Sequence, residues 1–327
     1  MPITTIEKDP TNLTMTIVAD FPVPVRRLWD AYADPRQLEK FWGPPQWPAT
    51  FTRHDLYPGG RSQYEMRGPD GQASAGYWEF QEVEEPRRFA VIDGFALENG
   101  EPNEALPSMR MEFVFEETPG GSRLTATTHF NSAEELEQLL TMGVEEGTRT
   151  AMGQIDDVLA DLDAFAAGRG TETQLLSDTQ VRITRIIRGS REQVWQAHED
   201  PQLLKRWLLG PEGWQMPVCE VAAEVGDTFR YEWETLEGEG RFGFTGELLE
   251  RRAPNRSVTT ERMTEPDSPE TTNELTLTPV DGGTLLSLVI TYPGASVRDL
   301  VLETGMAEGM EASYARLETH VLGAANA

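Results

Sequence analysis

The 327-residue chain has a single cysteine, Cys219, four histidines, and lysine only at Lys8, Lys40 and Lys205. One cysteine excludes an intramolecular disulfide and any cysteine-based metal cluster. His54, His129, His198 and His320 are scattered, none at metal-ligand spacing from another, so neither a zinc site nor a cofactor is expected. Positive charge is scarce: 28 Lys and Arg face 55 Asp and Glu, a formal net charge of −27. That balance speaks against nucleic acid, whose binding needs clustered basic residues to displace counterions. It also speaks against anionic membrane surfaces. No run approaches the ~18 apolar residues of a membrane helix. The opening "MPITTIEKDP" lacks the apolar centre of a signal peptide. A soluble cytoplasmic protein is expected. Hydrolase, phosphate-loop, zincin and dinucleotide-binding motifs are all missing.

What the chain does contain is one unit written twice. "LWDAYADPRQLEKFW" at 28–42 returns as "VWQAHEDPQLLKRWL" at 194–208. Trp29 meets Trp195, Asp34-Pro35 meets Asp200-Pro201, Leu38 meets Leu204 and Phe41 meets Trp207. The match continues through Trp47 and Trp214, Tyr64-Glu65 and Tyr231-Glu232, Gly120-Gly121 and Gly282-Gly283, and ends with "MGVEEG" against "TGMAEG". Collinear matches over most of both halves predict a duplicated domain. The small, polar stretch "AGRGTETQLLSD" reads as a connector. The expected division is a first domain at 1–168, a linker at 169–178 and a second domain at 179–327.

Each unit opens on an alternating strand, with Leu13, Met15, Ile17, Ala19 and Phe21 on one face in the first. Arg185 stands where the first unit has Ala19 and is expected to reach water from the strand end. Val25, Leu28, Trp29 and Tyr32 then form a helical stripe. Asp-Pro breaks that helix, because proline disfavours helical geometry before itself yet suits the first turn of a new helix, which the Asp can cap. Six further strand candidates follow in each unit, and a long helix closes it, with Ile155, Val158, Leu159, Leu162 and Phe165 at helical spacing in the first. The expected class is α+β: two tandem domains, each a seven-stranded curved antiparallel sheet around a long C-terminal helix. A curled sheet gripping one helix leaves a gap at its mouth, and that gap is a cavity.

The two copies calibrate which side chains face it. Thr50, Thr52 and His54 align with Pro217, Cys219 and Val221, so His54 should point inward, either as a core histidine bonded to a neighbour or as a ligand-binding or proton-transfer group. Tyr64 and Met66 align with Tyr231 and Trp233 on an inner face, where a buried hydroxyl needs a partner in protein, water or ligand. Trp78, on the following strand, is also expected on the ligand-binding wall. Met111 and Phe113 align with Asn273 and Leu275, which makes the second cavity more polar. Trp42, Trp47, Trp207 and Trp214 cluster at the helix-to-strand junction, as cavity mouth or as a lid of core packing. In the closing helix Gly147 and Gly309 sit on the inward stripe, giving either close helix–sheet contact or open volume. His198 is read as packing on the first-helix stripe.

The strings "VPVRRLWDAYADPRQLEKFWGP", "DLYPGGRSQYEM", "VEEPRRF" and "EEGTRTAMGQIDDVLA" resemble the helix-grip proteins of the START/Bet v 1 (SRPBCC) superfamily. The nearest branch is the one named after the C-terminal domain of the Hsp90 ATPase activator. The second unit is similar through "VWQAHEDPQLLKRWLLGP", "AAEVGDTFRYEW" and "EGMEASYARL", although "PGGRSQY" becomes "EVGDTFRY". The resemblance implies a cavity that takes something apolar, since the superfamily includes carriers, cyclases, sequestering proteins and a co-chaperone domain. The leading expectation is non-covalent binding or sequestration of a small, largely apolar ligand. One alternative is a cyclase or dehydratase acting on a polyketide-like substrate, with His54 and Tyr64 as acid or base. Another is a co-chaperone-like interaction module with a filled cavity and an exposed apolar patch. The expected assembly is a monomer whose halves pair like a dimer, or a weak homodimer.

Overall fold

The computed structural model describes residues 3–97, 99–141, 143–161, 170–210, 212–323. The chain divides into two compact units, Met1–Asp163 and Ala164–Ala327. Among the described residues each holds one eight-stranded sheet with every pairing antiparallel, β1-β2-β8-β7-β6-β5-β4-β3 in the first and β11-β12-β13-β14-β15-β16-β10-β9 in the second.

Eight strands replace the expected seven because each sheet has an added edge strand, β1 (Ile3–Asp9) and β9 (Glu172–Leu175). Their sequences, ITTIEKD and ETQL, are polar and lie exposed or half-buried, so they carry no core-facing alternation. Polar edge strands of this kind discourage pairing with other chains. β9 lies in the stretch read as a connector and pairs with β10 (Gln180–Ile187).

In β2 (Thr14–Phe21), Met15, Ile17, Ala19 and Phe21 are all buried, one face of a period-two strand. Leu13 does not join them; it takes a positive φ of 54° in the turn before the strand. The helix α1 (Val25–Ala33) buries Leu28, Trp29 and Tyr32. Asp34 ends it and caps α2 (Pro35–Leu38), accepting from the Arg36 backbone N–H at 3.0 Å. Asp200 does the same between α6 (Arg191–Glu199) and α7 (Pro201–Trp207), accepting from Gln202 N–H at 2.8 Å. The junction is thus a cap at both places, as its chemistry requires.

The meander runs through β3 (Ala49–His54), β4 (Arg61–Arg67), β5 (Ala73–Glu84), β6 (Arg88–Phe95), β7 (Ser108–Thr118) and β8 (Gly121–His129). Its counterparts are β11 (Trp214–Glu220), β12 (Thr228–Thr235), β13 (Arg241–Arg252), β14 (Arg256–Met263), β15 (Thr271–Val280) and β16 (Gly283–Thr291). The register shifts at Phe51/Arg53 and Phe80/Glu82 in the first sheet, and at Gln215/Val218 and Leu248/Glu250 in the second. Bulges bend a strand and raise its twist, which lets each sheet curl around a helix.

The closing helix is not continuous. In the first unit it is α3 (Ala133–Thr141), α4 (Val144–Gly153) and α5 (Ile155–Ala160). In the second it is α8 (Ala295–Glu303), α9 (Met306–Arg316) and a π-helical turn, Leu317–Leu322. Gly143 (φ 86°) and Gly305 (φ 79°) are left-handed junctions at the breaks, the conformation that glycine alone adopts freely. Leu162 and Phe165 lie outside the described residues. Arg185 is buried rather than water-reaching, and pairs with Glu311 at 2.9 Å and Glu318 at 3.2 Å on the closing helix. A buried guanidinium needs such carboxylates to offset its desolvation.

Candidate functional site

Each unit holds a cavity between its sheet and its closing helix, of about 220 Å³ in the first and about 370 Å³ in the second. The first is walled by β4–β8 and roofed by α4, with Phe41, Trp42 and Pro44 after α2 also on its lining. Trp42, Tyr64, Met66, Met111, Phe113 and Gly147 all line it. In the second, Trp207, Tyr231, Trp233, Asn273 and Leu275 line the wall, with Met306, Met310 and Tyr314 of α9 opposite. A Cβ built on Gly147 would meet nothing within 4 Å, so this glycine leaves open volume and makes no close contact.

Five expected residues lie elsewhere. His54 is buried but does not line the cavity. The bulge after Phe51 resets the strand's phase, so Ala49, Phe51 and His54 share the inner side while Thr50 and Thr52 do not. Its ring is wedged against Phe51, Trp78 and Phe80. Nε2 lies 3.0 Å from the Tyr32 carbonyl, which only accepts, so Nε2 carries a proton; Nδ1 lies 2.8 Å from Ser62 Oγ. Trp78 is fully buried behind the wall, not on it. Trp47 covers the β4–β5 turn, where a Cβ on Gly68 would collide with its ring. Trp214 packs edge-on against Phe242 at 5.1 Å. A Cβ on Gly309 would also meet nothing within 4 Å, yet this glycine is not part of the lining; its carbonyl accepts from Ser313 Oγ at 3.0 Å.

The feature that sequence reasoning missed is an acid. Asp93 on β6 lines the first cavity. Its Oδ1 accepts from Trp78 Nε1 at 2.8 Å and from Tyr64 Oη at 3.2 Å. Burial pushes the Asp93 carboxyl up to about 7, against the pull of those two donors. Burial, followed by the Asp93 charge, raises the Tyr64 hydroxyl well above its ordinary value. Tyr64 reaches across β5 because the intervening residue is Gly76: a Cβ there would stand 2.3 Å from the Tyr64 ring.

Glu261 on β14 holds the equivalent place. Asp93 faces Trp78 and Met109 on its neighbouring strands; Glu261 faces Thr271, beside the pair Thr245 and Arg262, which sets it opposite Gly246. Glu261 also lines its cavity, and burial raises its carboxyl, with an Asn273 hydrogen bond opposing. Phe244 replaces Gly76 opposite the second tyrosine, so Tyr231 has no such path to its acid. His198 lines this cavity too; its Nδ1 lies 2.7 Å from the Val194 carbonyl, and burial lowers its pKa, so the ring is neutral. Arg251 is at the edge, paired with Glu199 at 2.6 Å and placed over Trp195. The missed signal was an acid at matching register in both copies, on a strand whose inward neighbours Phe89 and Val91 are buried.

No helix among the described residues is long and apolar enough to cross a membrane. Among the described residues no group of three or more His, Cys, Asp or Glu is placed to hold a metal ion.

Comparison with solved structures finds several similar chains. Protein Ms6760 from Mycobacterium smegmatis is 51% identical over 49% of this chain and 98% of its own, with a TM-score of 0.46. A protein from Arthrobacter aurescens is 41% identical over 48% of this chain and 91% of its own, TM-score 0.46. DynU16, a protein of the dynemicin biosynthetic locus, is 14% identical over 94% of this chain and 99% of its own, TM-score 0.33. No curated protein matches significantly. The family model described as Activator of Hsp90 ATPase homolog 1-like protein matches residues 22–160 and again 188–321. The chain therefore belongs to the Activator of Hsp90 ATPase homolog 1-like family and carries that domain in two tandem copies.

Proposed function

We propose that each unit binds one small, largely apolar molecule non-covalently in the cavity between sheet and closing helix. The observation that carries this reading is that both copies keep an open, aromatic- and methionine-lined cavity at the same place, with a half-buried acid at the same register on its wall, Asp93 in the first and Glu261 in the second. Removing apolar ligand surface from water supplies roughly 25 cal/mol per Å². The volumes set the scale: an engineered apolar cavity of roughly 150 Å³ takes benzene, so about 220 and about 370 Å³ suit one to three fused rings and not a long acyl chain.

The cyclase or dehydratase alternative loses support at its proposed base. His54 is off the cavity with both ring nitrogens engaged, and Tyr64, held in its protonated form by burial, keeps only the role of acid. The interaction-module alternative requires filled cavities, and these are open.

Native mass spectrometry of gently purified full-length protein tests the reading. The expected result is up to two retained or added molecules of 2-naphthylmethanol per chain. Failure of any naphthyl probe to add, with Gly147→Trp behaving as the wild type, would sink it.

A further inference from the structure

Resting on that reading, we infer that the ligand class is an apolar amine, whose single ammonium group is received by the Asp93 carboxylate in the first cavity and by Glu261 in the second.

Asp93 has two protein partners, Trp78 Nε1 and Tyr64 Oη, and both are donors to the same oxygen, Oδ1. Its second oxygen, Oδ2, has no protein partner among the described residues, and Asp93 lines the cavity. A carboxyl meant to stay neutral would need an acceptor for its proton. This one is offered donors only, the arrangement that stabilises an anion. Among the described residues the lining of the first cavity contains no Lys, Arg or His, so none of them supplies a cation to that anion. The missing counter-charge, and the missing donor to Oδ2, are both what an ammonium group supplies.

The second unit repeats the logic with different neighbours. Asn273, a donor through its amide, is the hydrogen-bond partner of Glu261. Among the described residues the one guanidinium on the wall, Arg251, is committed to Glu199. His198 is neutral and offers no charge. An acid at the same register of the same strand in two copies whose other wall residues differ this much is more than a packing accident, because an unpaired buried carboxyl is costly to keep.

The titratable groups that share the first cavity with Asp93 are Tyr64 on β4 and Tyr32 on α1, whereas Tyr77 on β5 lies on the other face of the sheet against Gly94; the lining of α4 opposite contributes Gly147, Thr148, Ala151 and Met152, none titratable. Those facing Glu261 are Tyr231 and Tyr292, with His198 and the Glu199–Arg251 pair on the rim. In the free protein burial pushes the Asp93 carboxyl up to about 7, so it holds its proton far more readily than an exposed carboxyl. An amine that stays charged must therefore displace the Asp93 proton, and its binding weakens in mild acid.

The test uses three probes of one shape on the full chain: 2-naphthylmethylamine, 2-naphthylmethanol and 2-naphthoate. Titration calorimetry is run at a pH of about 8, in about 0.5 M salt to screen the acidic surface. The amine is expected to bind at least about tenfold tighter than the alcohol, the size of one charge-assisted hydrogen bond; the carboxylate binds weakest. Asp93→Asn with Glu261→Gln brings the amine to the alcohol's affinity. Equal binding of amine and alcohol by the wild type overturns the inference and leaves the cavity reading standing. Amine preference that survives in the double variant also overturns it, because the cation then binds elsewhere. No binding of any probe overturns both. Should the double variant not fold, the wild type decides alone: lowering the pH to about 5.5 must weaken the amine and leave the alcohol unchanged, and parallel curves for the two contradict the inference.

Discussion

Tyr64 and Tyr231 occupy the same place on equivalent strands, yet only Tyr64 hydrogen-bonds its unit's cavity acid. The difference lies one strand over. Gly76 lets the Tyr64 ring lie across β5; Phe244 stands there in the second unit. A second exchange accompanies it. Where the first unit pairs Ser62 with Trp78, the second pairs Phe229 with Gly246, moving the large ring from one strand to its neighbour. Trp78 thereby sits behind the wall and donates to Asp93, whereas Phe229 lines the second cavity. One backbone thus carries a tight, pre-bonded pocket and a wider one whose acid has less company. The small residues decide this, because each glycine determines which large neighbour can cross it.

The largest expected effect comes from removing the ring that separates the two designs. Trp78→Ala should destabilise the first unit by about 3–5 kcal/mol. In calorimetry the first unit should then melt well before the second; a single unshifted transition would contradict the packing described. Next is the pH response of Asp93. Its folded carboxyl titrates near 7 and its unfolded one near the ordinary value of 3.8. Between those values the folded state holds a proton the unfolded state has released, so this group's contribution to stability falls as pH rises. Asp93→Asn removes that slope. Relative to wild type the variant should gain stability from a pH of about 4 to about 7, and denaturant midpoints that stay parallel would refute the assignment.

Gly76→Ala should cost about 1–3 kcal/mol, since its Cβ overlaps the Tyr64 ring. It should also raise the Asp93 pKa by removing a donor, readable by carboxyl carbon NMR. Tyr64→Phe should cost about 1 kcal/mol, and Tyr231→Phe less than about half of that, because only the first hydroxyl bonds an acid. Equal losses would mean that the two tyrosines are not different after all. Gly147→Ala should act in the opposite direction. Its Cβ meets nothing within 4 Å, so helix propensity should dominate and stabilise by about 0.5–1 kcal/mol.

The fold was legible because repetition and periodicity are local signals. Trp29, the Asp34 and Asp200 caps and the alternation from Met15 to Phe21 follow from spacing and proline chemistry alone. The polar edge strands left no such trace, and neither did the glycine breaks in the closing helix, since Gly143 reads as a helical spacer until its φ is known. Site residues on unbulged strands, Tyr64, Met66, Met111 and Phe113, line the cavity where alternation places them. His54 lies past a bulge, and its tertiary bonds to Ser62 and Tyr32 are invisible in sequence. Asp93 was hidden for a different reason: a lone acid on a strand reads as solvent-facing unless its counterpart Glu261 is set beside it.

The most direct measurement is a crystal structure of the full chain with 2-naphthylmethylamine. The account predicts one bicyclic ring in each cavity, with its nitrogen within hydrogen-bond distance of Asp93 Oδ2 in the first and of the Glu261 carboxylate in the second. Rings in the cavities with their nitrogens turned to solvent, or probe found only on the acidic exterior, would contradict it.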